Sequence, residues 1–144
     1  MIRALHILVL LFIAAPLSAA AVESDDLKLA NAYRSERLAD WIECEVALNS
    51  AEFGGGIMTP VDYDSYNDCI RRAKATATAN FESALKAMNK PAARAAFSQY
   101  HAASLAAFDG MRQRQSETEV EYKRRKERLN ADMQSNWGRY EGAR

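Results

Sequence analysis

The stretch Trp41–Cys69, WIECEVALNSAEFGGGIMTPVDYDSYNDC, holds both of the chain's cysteines and places Gly54, Gly55 and Gly56 between them. Upstream of the glycines, Leu27, Ala30, Leu38, Trp41 and Leu48 recur on one side at helical spacing. Tyr33 and Cys44 lie near one edge of that stripe and Ile42 near the other. Ser24 stands where a helix N-cap belongs, and Asp25 and Asp26 fall in the first turn, where the helix dipole favours negative charge. This predicts a helix over residues 25–51, ended by the glycines. Thr59, Pro60 and Asp62 then read as a restart: an N-cap, a first helical residue, and an aspartate version of the capping box. The second helix, over 60–89, carries Tyr63, Tyr66, Ile70, Ala73, Ala77, Phe81, Ala84 and Met88 in steps of three and four, with Cys69 on the flank. Asn89 and Lys90 ahead of Pro91 close it, because the residue before a proline is pushed out of the helical region.

In an antiparallel hairpin of these two helices the cysteines come level. Cys44 lies about 10 Å before the end of one and Cys69 about 13 Å after the start of the other, at 1.5 Å per residue. The N-terminus, MIRALHILVLLFIAAPLSAA, reads as a secretory signal peptide: Arg3, an apolar run from Leu5 to Ala15, then small residues at Ser18, Ala19 and Ala20. That run is shorter than the roughly 20 residues a membrane span needs. The expectation is therefore a periplasmic or secreted protein with no stable membrane insertion after cleavage of residues 1–20, and a single helical domain over 21–144. An even cysteine count in an oxidising compartment predicts the Cys44–Cys69 disulfide.

Downstream, AAF at 95–97 recurs at 106–108, an interval of three helical turns that puts Phe97 and Phe108 on one face with Tyr100 and Met111. Tyr122, Leu129, Met133, Trp137 and Tyr140 form a second stripe. Between the two, RQRQSETE (112–119) carries no apolar signal. The leading expectation is an all-α fold in which the hairpin packs on one long C-terminal helix, 92–138, whose end projects. The alternative is a four-helix up-down bundle, with a break at 109–116 marked by Asp109-Gly110 or by the capping-box spacing of Ser116 and Glu119. A projecting end leaves Tyr122, Trp137 and Tyr140 exposed as a candidate partner surface; a folded-back one makes them core.

The remaining motifs exclude more than they offer. No Lys-Ser/Thr follows the glycines, and Asp62 and Asp64 would repel phosphate. Asp62, Asp64 and Asp68 fail as a calcium loop, with Tyr66 at the third ligand position and Asn67 where glycine is required. The cysteines lack the Cys-x-x-Cys spacing of redox sites and the two further ligands of zinc sites. His101 has no Glu-x-x-His or Cys-x-x-Cys-His context and no paired nucleophile. No catalytic, cofactor or metal-binding residues are assigned. Lys+Arg and Asp+Glu balance at 19 each, so no global field draws nucleic acid or anionic membrane. Within the basic run KRRKER (123–128), Glu119 and Glu121 sit four residues ahead of Lys123 and Arg125, the favourable order for helical ion pairs on a solvated face.

The order of Trp41, Cys44, the Gly54–Gly56 loop, Cys69, Arg71 or Arg72, and Thr76 resembles the second half of LprI-like lysozyme-inhibitor domains, over about residues 38–85. It departs from them in having Ile42-Glu43 where Arg-Asp is usual, and in lacking a further cysteine-bearing half with an Asp-x-x-Leu-Asn motif. The resemblance implies inhibition of a cell-wall hydrolase by surface binding and carries over no functional residues. The expectation from the residues themselves is protein–protein binding without catalysis, as an inhibitor, immunity or accessory protein with an unidentified partner. The alternative is a homo-oligomer that assembles by coiled-coil pairing of its long C-terminal helix.

Overall fold

The computed structural model describes residues 24–54 and 62–144; the segment read as a signal peptide, 1–20, and Gly55, Gly56, Thr59 and Pro60 lie outside the described residues. The described residues form four helices and no strand: α1 (Asp25–Gly54), α2 (Asp64–Ala87), α3 (Pro91–Asp109) and α4 (Glu119–Ala143). The protein is all-α, and Cys44 and Cys69 are joined by a disulfide with their Cα atoms 5.4 Å apart.

α1 begins directly after Ser24, as the acidic first turn predicts, and runs on into the first glycine. α2 begins four residues later than expected. Tyr63 occupies the N-cap position without a side-chain bond, while Asp62 reaches forward to accept from the Asp64 amide at 2.8 Å. An aspartate turn of this kind satisfies one of the first-turn amides that have no partner within the helix. At the other end of α2, Arg94 donates from Nη1 to Leu85 O (2.5 Å) and Met88 O (3.2 Å), so a side chain from α3 caps the last carbonyls. Pro91 then opens α3 in the first turn, where its missing amide costs nothing.

The expected continuous helix over 92–138 is interrupted. α3 stops at Asp109, where the Gly110 amide donates to Ala106 O and Ala107 O, both at 3.0 Å. α4 restarts at Glu119 from a capping box, but the box is Thr118 with Glu121, two residues beyond the Ser116–Glu119 pair. Gly110 is a glycine for reasons of space: a Cβ there would lie 2.2 Å from Leu129 Cδ1 and 2.9 Å from Arg125 Nη1. The chain crosses itself closely at this point, and Arg125 fastens it. Its Nε and Nη2 grip the two oxygens of Glu117 at 2.7 Å each, Nη1 donates to Gly110 O at 2.7 Å, and Nη2 also donates to Arg112 O at 3.0 Å.

The hydrogen bonds from Arg125 hold the Glu117 carboxyl down to about 2. Because that value lies below the ordinary carboxylate value, the pair's contribution is complete above about pH 4.5 and is lost as the pH falls toward about 2. Urea unfolding of the protein and of Glu117→Gln is expected to show a gap that is constant near pH 7 and closes between about pH 4.5 and 2. A gap independent of pH over that range would count against the ion pair.

The core is aromatic on one side and small on the other. Ala73, Ala77 and Ala84 form the inward stripe of α2: Ala77 and Ala84 share a cluster with Tyr33 from α1, Phe97 and Tyr100 from α3, and Trp137 and Tyr140 from α4, while Ala73 lies in a second cluster with the two cysteines, Leu48, Tyr66, Phe108 and Met111. Phe97 is ringed by Tyr33, Phe81, Tyr100 and Tyr140 with centroids 5.3–6.2 Å away. Alanine makes this possible, because a small residue on α2 leaves room for a ring from the opposite helix. On α1 the buried face is Ala30, Tyr33, Arg37, Cys44 and Leu48, with Leu27 and Trp41 half-buried. The expected stripe through Leu38 is therefore rotated, and Leu38 faces out.

Candidate functional site

Arg37 takes the core position between Tyr33 and Cys44 on α1. It is only 3% exposed. A guanidinium keeps its charge at any accessible pH, so burying it requires compensation. Nη2 lies 2.8 Å from Asp40 Oδ2, Nη1 donates to Ala73 O at 2.6 Å, and the group sits over the Tyr33 ring, 5.2 Å from its centroid. Desolvation raises the Asp40 carboxyl despite the opposing pull of Arg37. The Arg37 Nε–H has no hydrogen-bond partner among the described residues.

Beside this pair, the Tyr33 hydroxyl and His101 Nδ1 are 2.6 Å apart, and the imidazole stacks on Phe81 at 4.1 Å. Burial, and then the nearby Arg37 charge, push the His101 pKa down, which favours the neutral ring. With Nδ1 accepting from the tyrosine, the ring proton belongs on Nε2. Burial also drives the Tyr33 phenol well above its ordinary value, so the hydroxyl keeps its proton to donate. His101 is thus engaged by packing and one hydrogen bond.

A groove opens between α1 and α4, with α3 as its floor. Its volume is about 520 Å³. Trp41 and Trp137 stand at its two ends, and Arg34, Arg37, Leu38 and Tyr100 are among its walls. The Arg34 guanidinium lies over the Trp137 ring, 4.7 Å from the centroid, and Trp137 Nε1 is buried without a partner among the described residues. At the Trp41 end, Lys126 reaches from α4 to Glu45 at 2.7 Å and closes the gap between the helices.

The cysteines predicted to pair are joined. Of the aromatic residues read as a candidate partner surface, Trp137 is 4% exposed and Tyr140 is fully buried, the outcome expected of a folded-back end rather than a projecting one. The break at 110–118 folds α4 back onto α3, placing Trp137 5.1 Å from Tyr100 and Tyr140 5.3 Å from Phe97. Tyr122 is half-buried, with its hydroxyl donating to Met111 O. Of the two ion pairs read in the basic run, Glu119–Lys123 forms at 2.7 Å. Glu121 instead caps its own helix, and Arg125 turns inward to Glu117.

Sequence reasoning missed the exposed apolar ridge of α1. Leu38 (62% exposed), Ile42 (54%), Val46 (60%) and Phe53 (83%) follow one another at steps of four, four and seven, along one side of the helix. The clue was the width of the apolar sector on this helix, which spans both Tyr33–Cys44 and Ile42. That is more than one core-facing stripe needs.

No group of three His, Cys, Asp or Glu side chains among the described residues is placed to hold a metal ion, and no helix among them is long and apolar enough to cross a membrane. No protein-family model, curated protein or solved structure matches the chain.

Proposed function

We propose that this protein acts by binding another protein through the outer ridge of α1, without catalysing a reaction. The observation that carries the reading is the ridge itself: four large apolar side chains in line, each more than half exposed. Contiguous apolar surface of this kind marks interaction sites, where a few anchors supply most of the binding energy. Glu43 and Glu45 flank the ridge on opposite sides, and each is already ion-paired, to Arg72 on α2 and to Lys126 on α4. The margins are therefore balanced in charge, and the complementary surface is chiefly apolar. We read the four helices as an up-down bundle that holds α1 rigid, with the disulfide pinning it to α2. Export through the signal-like segment 1–20 puts this activity in the periplasm or outside the cell, a reading the disulfide supports. A cell-wall hydrolase, as the LprI-like resemblance implies, is one class of partner within this reading.

The second reading is self-association. Coiled-coil pairing along a single helix from 92 to 138 has less support, because the segment is divided at 110–118. The ridge of α1 offers a surface that two copies bring together antiparallel, each contributing the same residues. One experiment separates the readings. The protein and its Ile42→Glu/Val46→Glu variant are weighed in solution and used to capture partners from envelope extract. The first reading expects a monomer that retains a defined protein, and a variant that retains at least about tenfold less. A dimer that the variant splits favours self-association, and equal capture by both chains removes the ridge from either role.

A further inference from the structure

The groove between α1 and α4 has a composition unlike that of the whole chain. Acidic and basic residues are equal in number overall, yet the lining contains two arginines and no aspartate or glutamate. Arg34 makes no ion pair among the described residues; its guanidinium lies against the face of Trp137. Deeper in, two buried polar groups without hydrogen-bond partners among the described residues, Arg37 Nε and Trp137 Nε1, are both donors. The Arg37 charge is already balanced by Asp40, whereas the Arg34 charge is not. Leu38, Trp41, Phe108 and Met133 supply an apolar remainder. The volume of about 520 Å³ falls in the range of small-molecule sites, roughly 300–1,000 Å³. The lining residues of α1, Asn31 to Trp41, span about 15 Å at 1.5 Å per residue.

We infer that this groove binds a small organic carboxylate with an apolar body, its acid group at Arg34 and its body running toward Trp41 and Phe108. The acid oxygens answer the unbalanced guanidinium at the Trp137 end. The body lies against Leu38, Trp41 and Met133, the apolar lining side chains that keep accessible surface. A cationic amine meets two arginines and no acid, and a metal ion meets no carboxylate ligand. The groove shares Leu38 with the ridge, but Ile42 and Val46, the residues that test the ridge, are not among its lining residues, so the two readings fail separately.

The chain's two tryptophans both line the groove, so their emission reports directly on its occupancy. The full chain is titrated with decanoate and 4-phenylbutyrate, and in parallel with 4-phenylbutyramide and decylamine. Saturable changes are expected for the two carboxylates, with the amide at least about tenfold weaker and the amine weaker still, as the loss of one charge-assisted bond implies. Arg34 is exposed, so Arg34→Gln should fold as the parent does, which circular dichroism checks. That variant is expected to bind carboxylates about tenfold more weakly while its amide binding is unchanged, and Arg34→Lys is expected to recover part of the loss. The inference is overturned by equal binding of acid and amide, by carboxylate binding that Arg34→Gln leaves intact, or by no saturable change up to about 1 mM.

Discussion

Reduction of the Cys44–Cys69 disulfide is expected to lower the free energy of unfolding by about 3 kcal/mol. The bond closes a loop between residues 25 apart in sequence that contains the three glycines, the part of the chain with most conformational freedom to lose. Both cysteines are buried beside Leu48, Tyr66, Ala73 and Phe108 in the second core cluster, so the thiols remain packed when the bond is cut. The loss should therefore come chiefly from the unfolded chain. Denaturant unfolding with and without reductant measures it, and the Cys44→Ala/Cys69→Ala variant provides a control that reductant does not affect. The variant should match or fall slightly below the reduced protein, because removing two sulfurs also opens a small cavity. A loss of under about 1 kcal/mol on reduction would mean that packing alone holds the hairpin. In the unreduced protein, maleimide should label neither cysteine.

The hairpin and its staple are legible in the sequence because each rests on local rules. The stripe of α2 from Tyr66 through Ala73, Ala77, Ala84 and Met88 is buried as its periodicity implies, and the register of the two cysteines follows from helix length on either side of a glycine turn. The faces of α3 and α4 are legible too, since Phe97, Tyr100, Phe108, Met111, Trp137 and Tyr140 are all buried. Periodicity does not say how two such faces are joined. Residues 112–115 are good helix formers, and the interruption depends on contacts that bring Gly110 against Leu129 and Arg125, far apart in sequence. For the same reason the basic run conceals Arg125: its neighbours Lys123 and Lys126 do make pairs near the surface, and nothing local distinguishes the one arginine that turns inward. On α1, two apolar stripes compete for the core. Tyr33 prevails because its hydroxyl finds His101 and its ring finds Phe97, contacts supplied entirely by α3. Leu38 and Ile42 are displaced outward as a consequence. The groove is hidden as well, because its arginines lie on α1 while the tryptophan that Arg34 covers lies on α4.

At Arg125 an effect of similar size is expected: Arg125→Met should cost about 3 kcal/mol, the range for removing one partner of a buried ion pair. The residue is 7% exposed and its side chain makes four hydrogen bonds, two to Glu117 and one each to the carbonyls of Gly110 and Arg112. Methionine fills much of the volume but answers none of these acceptors. Glu117 can recover some solvent near the loop surface, whereas Gly110 is buried and its carbonyl loses its donor. A cycle with Glu117→Gln apportions the loss: the double variant should be less destabilised than the sum of the two single ones, because each removes the same charge-assisted bonds. The helix break supplies an independent readout. With the clamp gone, residues 111–117, which include the glutamine and arginine helix formers at 112–115, have less reason to stay non-helical. Partial joining of α3 and α4 would lengthen the molecule and expose Trp137, shifting its emission to the red. Leu129 and Gly110 oppose this by packing against one another, so Gly110→Ala, whose added Cβ overlaps Leu129, should push in the same direction as Arg125→Met. If Arg125→Met unfolds at the parent's denaturant concentration and leaves the Trp137 emission unmoved, the clamp does not hold the break, and the Thr118–Glu121 cap must suffice.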